Sequence, residues 1–229
     1  MGLGLSLKTL YQVARVSVPT YVDGLTGRAS REATDQRLRE FARRVVDNAR
    51  IQLDVRGVDR VPTDRAYVYM SNHQSHIDIP VLYATMPSPT VRMVAKKELF
   101  RVPVFGRAMR AGEMILVDRS SREQAIESLR RAGEQIDDGI SVWIAPEGTR
   151  SRDGEIGPLK KGGFHLALET GTPIVPVAIS GTRHVLPPSG KRMAHDIPVR
   201  VIFGAPIPVE GRDQQALMDE VSRFFRDHV

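Results

Sequence analysis

The stretch Ala66-Tyr67-Val68-Tyr69-Met70-Ser71-Asn72-His73-Gln74-Ser75-His76-Ile77-Asp78-Ile79-Pro80 decides how this chain is read. Its first half is apolar, alternating and rich in aromatic and β-branched residues, which is the pattern of a buried strand. It turns polar where that strand ends, and open α/β sheets place their chemistry at strand ends. Pro80 then sits where proline suits the first turn of a helix. The segment reads as strand, sharp polar turn and helix, with Asp78 at or near the helix N-terminus.

His73 and Asp78 are the first candidates for chemistry. Five residues turn through about 500° on one ideal helix, so the two do not share a helical face. They meet only if His73 lies in the turn and Asp78 opens the helix. A carboxylate on one imidazole nitrogen fixes the tautomer and frees the other nitrogen as a base. From this segment alone two other readings stay open. Both residues are ordinary turn residues, or His73, His76 and Asp78 ligate a metal. The chain has no Cys and no other zinc-like His spacing, so no metal is expected.

Composition sets the outer limits. The 229 residues suffice for one large α/β domain with a small extension. Hydrophobic residues make up 41% and charged residues 26%, a globular balance with no repeat or low-complexity tract. With 0 Cys, disulfides and thiol catalysis are excluded. The net charge of +6 points to an anionic partner: membrane surface, nucleic acid or phosphorylated substrate. Residues 1–50 hold nine Lys/Arg against five Asp/Glu, so most of the excess is N-terminal. Aromatic residues are only 6% and no stacking platform is visible, so a nucleic acid partner is not expected. No window reaches the roughly 18 apolar residues of a spanning helix. Lys8 and Arg15 interrupt the first twenty residues, so neither a signal peptide nor a transmembrane span is expected.

Along the chain, residues 5–17 place Leu7, Leu10, Tyr11, Ala14 and Val18 on one stripe with Lys8, Gln12 and Arg15 opposite. Pro19 to Ser30 read as a connection. Residues 31–50 form a second amphipathic helix, with Leu38, Phe41, Ala42, Val45 and Ala49 on one side and five arginines around the rest. Such a pair suits the plane of an anionic bilayer, although both stripes can equally pack on the main domain. The expected division is residues 1–50 as a membrane-contacting helical pair and 51–229 as the main domain. Strand candidates then fall at 51–56, 66–71, 91–95, 113–118, 140–145, 174–179 and 199–203. Helices are expected at 120–138, capped by Ser120 with Glu123, at 162–170 and at 214–226. The fold class is α/β: a mixed, largely parallel seven-stranded sheet covered by helices, with an N-terminal amphipathic two-helix extension.

Two further strand ends are polar. Ile144-Ala145 runs into Pro146-Glu147-Gly148-Thr149-Arg150-Ser151, where Gly148 permits a tight turn and Arg150 offers a planar fork for phosphate. Val94-Ala95 runs into Lys96-Lys97-Glu98-Leu99-Phe100, with Pro103 and Gly106 beyond. Adjacent parallel strands would bring all three ends to one rim.

In that order, His73-x4-Asp78, Lys96-x2-Leu99-Phe100-x2-Pro103-x2-Gly106, Pro146-Glu147-Gly148-Thr149-Arg150-Ser151 and Val175-Pro176-Val177 resemble the glycerolipid acyltransferase family, whose best-known bacterial members are the 1-acylglycerol-3-phosphate acyltransferases. The match spans roughly residues 66–180, and residues 113–119 resemble the segment between the family's second and third blocks. Ala145 departs from it, since many members carry a bulky apolar residue there. The resemblance implies transfer of an acyl group from a thioester, on coenzyme A or acyl carrier protein, to the free hydroxyl of 1-acylglycerol-3-phosphate, giving phosphatidic acid. His73 would be the general base and Asp78 would orient it. Lys96 and Arg150 would contact the acceptor phosphate. Gly148 and Thr149 would shape the turn, and Glu147 would hold the loop or an acceptor hydroxyl. The thioester is already activated, which agrees with the absence of Cys and of a nucleophile elbow. No cofactor is implied; the donor is a substrate.

The implied partners are a lysophospholipid acceptor, the thioester donor and an anionic membrane surface. The implied location is peripheral, on the cytoplasmic face of the cell membrane, and deletion of residues 1–30 is expected to weaken membrane association more than folding. A related enzyme using a lyso-ornithine lipid, glycerol-3-phosphate or glycolipid acceptor remains an alternative. So does a non-catalytic lipid-binding relative, although that would be marked by loss of the His or Asp, and both are present.

Overall fold

The computed structural model describes residues 2–118 and 121–229. Seven strands form one sheet: β1 (Gln52–Arg56), β2 (Val68–Ser71), β3 (Val91–Lys96), β4 (Ile115–Val117), β5 (Ser141–Ile144), β6 (Ile174–Ser180) and β7 (Pro198–Phe203). Their order is β1-β7-β6-β2-β5-β3-β4, and every pairing is parallel except β6 with β7. The largely parallel sheet expected from the sequence is what forms. β2 is central and all four of its residues are buried, as a strand covered on both faces requires.

Alternation along the strands sorts the core into two halves. Tyr67, Tyr69, Trp143, Val175 and Val177 face one layer, with α2 (Arg31–Asn48) and α3 (Asp78–Thr85). Val68, Met70, Val142, Ile144 and Ile174 face the other, with α5 (Arg122–Asp137), α6 (Gly162–Thr170) and α8 (Gln214–His228), leaving α4 (Phe105–Ala111) and the one-turn α7 (Thr182–Val185) at the rim. The isolated buried hydroxyls are tied in: Tyr69 meets Ser88 at 2.6 Å, and Trp143 Nε1 donates to Ser71 at 2.9 Å.

Two local expectations need correction. The first helix, α1, runs Gly2–Thr26 straight through Pro19, so the connection shrinks to residues 27–30. An interior proline forfeits one helical hydrogen bond and costs about 3 kcal/mol. The carbonyl left without its donor belongs to Arg15, which is exposed to water. Packing offsets the remainder: α1 lies on α2 and α4, and Gly24 approaches Ala111 so closely that a Cβ there would stand 2.7 Å from the alanine methyl. The second concerns α5. Ser120 lies outside the described residues, and the cap is Ser121, which accepts from the Gln124 N–H at 3.2 Å.

Helix α2 begins at a cap, Ser30, which accepts from the Ala33 N–H at 3.2 Å. It buries Ala42, Val45, Val46 and, just past its end, Ala49 against the sheet. A polar clamp fixes its first half. Arg92, on β3, is fully buried; its guanidinium donates to Asp35 of α2 and to the Val91 carbonyl at 3.1 Å, with Glu113 at 3.5 Å. No helix among the described residues is long and apolar enough to cross a membrane.

Candidate active site

Because β2, β3, β5 and β6 run parallel, their C-terminal ends share a rim. The turn after β2 is pinned at its start by Asn72. Its amide donates to the Ile179 carbonyl at 2.8 Å and accepts the Ile179 N–H at 2.7 Å, bridging to β6. His73 follows. Its ring meets Asp78, the first residue of α3, with Nδ1 to Oδ2 at 2.7 Å. The same Oδ2 accepts the N–H groups of Gln74 (2.7 Å) and Ser75 (2.9 Å), and Oδ1 accepts the Thr182 hydroxyl. Asp78 is completely buried, with both oxygens engaged. An accepting carboxylate places the ring proton on Nδ1 and leaves Nε2 as the basic nitrogen.

That set of bonds bears on metal binding. Four donors already converge on Asp78, leaving its oxygens little room to ligate, and no group of three or more possible ligands suited to a metal occurs among the described residues.

The loop after β5 grips His73 by its backbone. Glu147 Oε1 accepts the His73 N–H at 2.9 Å, and the Ser151 N–H donates to the His73 carbonyl at 2.7 Å. Glu147 Oε2 accepts the Gly157 N–H at 3.0 Å. Burial pushes the Glu147 carboxyl up from the usual range, and the two backbone N–H groups counter part of that shift. Of the two tasks the resemblance allowed Glu147, the structure places it in the loop-holding position. Gly148 has φ +71°, a conformation that glycine adopts freely.

A groove of about 570 Å³ runs along this rim and gathers His73, Lys96, Gly148, Thr149 and Arg150, with Trp143 at its floor. Lys96 is exposed at the end of β3, and its side chain makes no hydrogen bond or ion pair with a described residue. Arg150 donates through Nη1 to the Pro188 carbonyl at 2.8 Å, which orients its fork. His76 also lines the groove, and burial, then the Arg150 charge, pushes its imidazole down. So one groove is lined by two cationic side chains, Lys96 and Arg150, together with the imidazole that Asp78 holds.

An apolar cavity of about 280 Å³ adjoins the groove at His76, Ile79 and Met93. α1 roofs it with Thr9, Val13, Val16, Ser17 and Thr20. Its hydroxyls are engaged elsewhere: Ser17 and Thr20 donate to their own helix at 2.8 Å, and Thr34 donates to Ser30 at 3.0 Å. Thr9 and Tyr83 likewise bond elsewhere, to Met193 and to the Val91 carbonyl, so apart from the His76 imidazole the void is lined mainly by hydrocarbon.

Sequence reasoning missed Asn72 and Thr182. Thr182 had a visible signal, since Ser180-Gly181-Thr182 follows the end of β6 just as His73 follows β2. Nothing in the sequence showed that those two ends are neighbours.

The geometry can be set beside known proteins. The family model described as "Acyltransferase" matches residues 52–180, more than half of the chain. A chloroplast 1-acyl-sn-glycerol-3-phosphate acyltransferase of Brassica napus is 37% identical over 168 residues, covering 73% of this chain and 48% of that protein. The human 1-acyl-sn-glycerol-3-phosphate acyltransferase alpha is 34% identical over 176 residues, covering 75% and 61%. The chain thus spans about half to three fifths of these relatives. A crystal structure of the 1-acyl-sn-glycerophosphate acyltransferase of Thermotoga maritima superposes with TM-score 0.83 at 25% identity, covering 99% of this chain and 93% of that one. The polar rim, the sheet order and these matches agree: the chain belongs to the acyltransferase family.

Proposed function

We propose that this protein transfers a fatty acyl group from an acyl thioester to the free hydroxyl of 1-acylglycerol-3-phosphate, giving phosphatidic acid. The observation that carries the reading is one groove holding the His73–Asp78 couple, the cations Lys96 and Arg150, and the mouth of an apolar cavity. The named relatives act on that acceptor class, which supports it.

In this mechanism the acceptor's phosphate is held between Lys96 and Arg150, the latter able to bond it bidentately. Its hydroxyl then lies near His73. Nε2 removes the hydroxyl proton as the oxygen attacks the thioester carbonyl, and Asp78 stabilises the cation that forms on the ring. The tetrahedral intermediate collapses, the carbon–sulfur bond breaks, and the leaving thiolate takes the proton from Nε2. Thr182 and the Gln74 and Ser75 N–H groups hold Asp78 so that it cannot turn away. The donor's acyl chain occupies the cavity under α1. The protein works as a peripheral enzyme at a membrane surface, and the exposed stripe of α1, with Leu7, Leu10 and Tyr11, is what meets the lipid.

The test offers the protein lysophosphatidate, glycerol-3-phosphate and an uncharged lyso-glycolipid, with acyl-CoA or acyl carrier protein as donor, and identifies products by mass. Phosphatidic acid from lysophosphatidate is expected. His73→Ala is expected to lose at least about 10²-fold in kcat. Near-normal turnover in that variant would end the mechanism. Arg150→Ala should raise the acceptor KM far more than the donor KM. Equal changes in both would remove Arg150 from the phosphate site.

A further inference from the structure

The sheet is split at its catalytic rim. β3 pairs with β5 only through Val91, Arg92 and Met93, opposite Ser141, Val142 and Trp143. From Val94 onward β3 pairs instead with β4, on its other side. Past Met93 and Trp143, β3 and β5 therefore part. Val94 of β3 and Ile144 and Ala145 at the end of β5 flank this gap, and together with Val117 of β4 they border both the catalytic groove and a further cavity of about 230 Å³. That cavity lies on the opposite side of the sheet from α1, beneath α5 and α6.

Its interior is built for hydrocarbon. Ile115, Leu129, Ala132 and Leu166 complete the wall. Ser128 is the polar side chain facing it from α5, and its hydroxyl is engaged twice: it donates to the Gln124 carbonyl at 2.7 Å and accepts the Asp118 N–H at 3.1 Å. Lys160 stands at the edge. Where the groove and the cavity share a wall, Ala145 contributes only a methyl group.

We propose that this chamber receives the hydrocarbon chain that the acceptor already carries. The inference rests on the acyl-transfer reading above. That reaction brings two chains to one groove, and the groove is bordered by two apolar cavities, one on each side of the sheet. The assignment of chain to branch follows from Lys96. Residues two apart on a strand share a face, so Lys96 lies on the same face of β3 as Val94, which lines the split. A phosphate on Lys96 thus sets the acceptor's glycerol over the split, while the branch under α1 opens at His76 and is left to the donor.

The test replaces residues that line this chamber and neither the groove nor the branch under α1. Ala125→Phe and Leu129→Phe fill it from α5. With 1-oleoyl-lysophosphatidate as acceptor, KM should rise about tenfold, since several methylenes lose their apolar surroundings. With 1-hexanoyl-lysophosphatidate it should change less than about twofold, and the KM for acyl-CoA should hold. Equal shifts for both acceptors, or a changed donor chain-length preference, would overturn the assignment. The unaltered protein supplies a second measurement, in case the variants fold poorly. A photoreactive diazirine at the end of the acceptor's chain should label peptides of α5 or α6. Labelling confined to α1 and α2, or none while product forms, would overturn it as well. If the unaltered protein makes no phosphatidic acid from either acceptor, the acyl-transfer reading itself falls and takes this proposal with it; product without the selectivity shift removes the second chamber alone.

Discussion

Helices α1 and α2 follow one another in the chain, both are amphipathic and both carry basic residues. They bury opposite kinds of face. α2 turns its aliphatic side inward, and Ala42, Val45 and Val46 vanish into the core beside the Arg92–Asp35 clamp. α1 turns its aliphatic side outward. Leu7, Leu10 and Tyr11 are each about 60% exposed, and Leu3, Val18, Val22 and Leu25 continue the stripe. The side it presents to the protein is Leu5, Gln12, Val13, Val16, Ser17 and Thr20, a mixed face that roofs the cavity. A contiguous exposed apolar row of this kind marks an interaction surface and is not ordinary surface texture. α2 is thus structural, and α1 joins an exposed apolar stripe to the roof of the cavity. This also makes deletion of residues 1–30 a blunt probe of membrane contact, because it removes the roof together with the stripe.

The contrast can be tested hardest at α2. Asp35→Ala leaves the Arg92 guanidinium buried with only the distant Glu113 as a counter-charge. We expect a loss of about 3–5 kcal/mol in denaturant unfolding, and partial recovery when Arg92→Met is added. A loss below about 1 kcal/mol would mean that α2 is not clamped to the sheet as described. The next effect should be on α1 and of a different kind. Changing Leu7, Leu10 and Tyr11 together to Ser should lower partition onto anionic vesicles at least about tenfold, with Tm almost unmoved. A large fall in Tm with unaltered vesicle binding would reverse the roles assigned to the two helices. The smallest effect lies where the helices touch. Glu40 of α2 bonds Arg44 and lies 3.9 Å from Arg15 of α1, and the Arg44 hydrogen bond holds its carboxyl below the usual glutamate range. A depressed carboxylate pKa adds stability above the unfolded value and loses it as pH falls through the folded one. The Tm difference between the parent and Glu40→Gln should therefore be small near neutrality and vanish in acid below the glutamate range. A difference that grows on acidification would refute the pairing.

Much of this was legible in advance because it is local. The alternation in Tyr67–Met70, the polar break at Asn72 and the proline after Asp78 identify the strand–turn–helix without a partner. The His73–Asp78 contact was legible only as a condition, since a five-residue spacing closes across a turn and not along one helix; the structure supplies the bond itself. Helix ends are less legible: Pro19 reads locally as the start of a connection, yet packing on α2 and α4 carries α1 beyond it.

What the amino-acid order determined by itself was periodicity and chemistry: which segments are strands, which helices are amphipathic, and which side chains sit at strand ends. Such features depend on residues within a few positions of one another. Only the tertiary structure decided the rest. It chose which face of α1 is covered, seated Thr182 against Asp78 across 104 positions, and parted β3 from β5 beyond Met93 and Trp143. The reason is that burial and strand pairing are properties of two surfaces meeting, and a helix or strand carries only one of them.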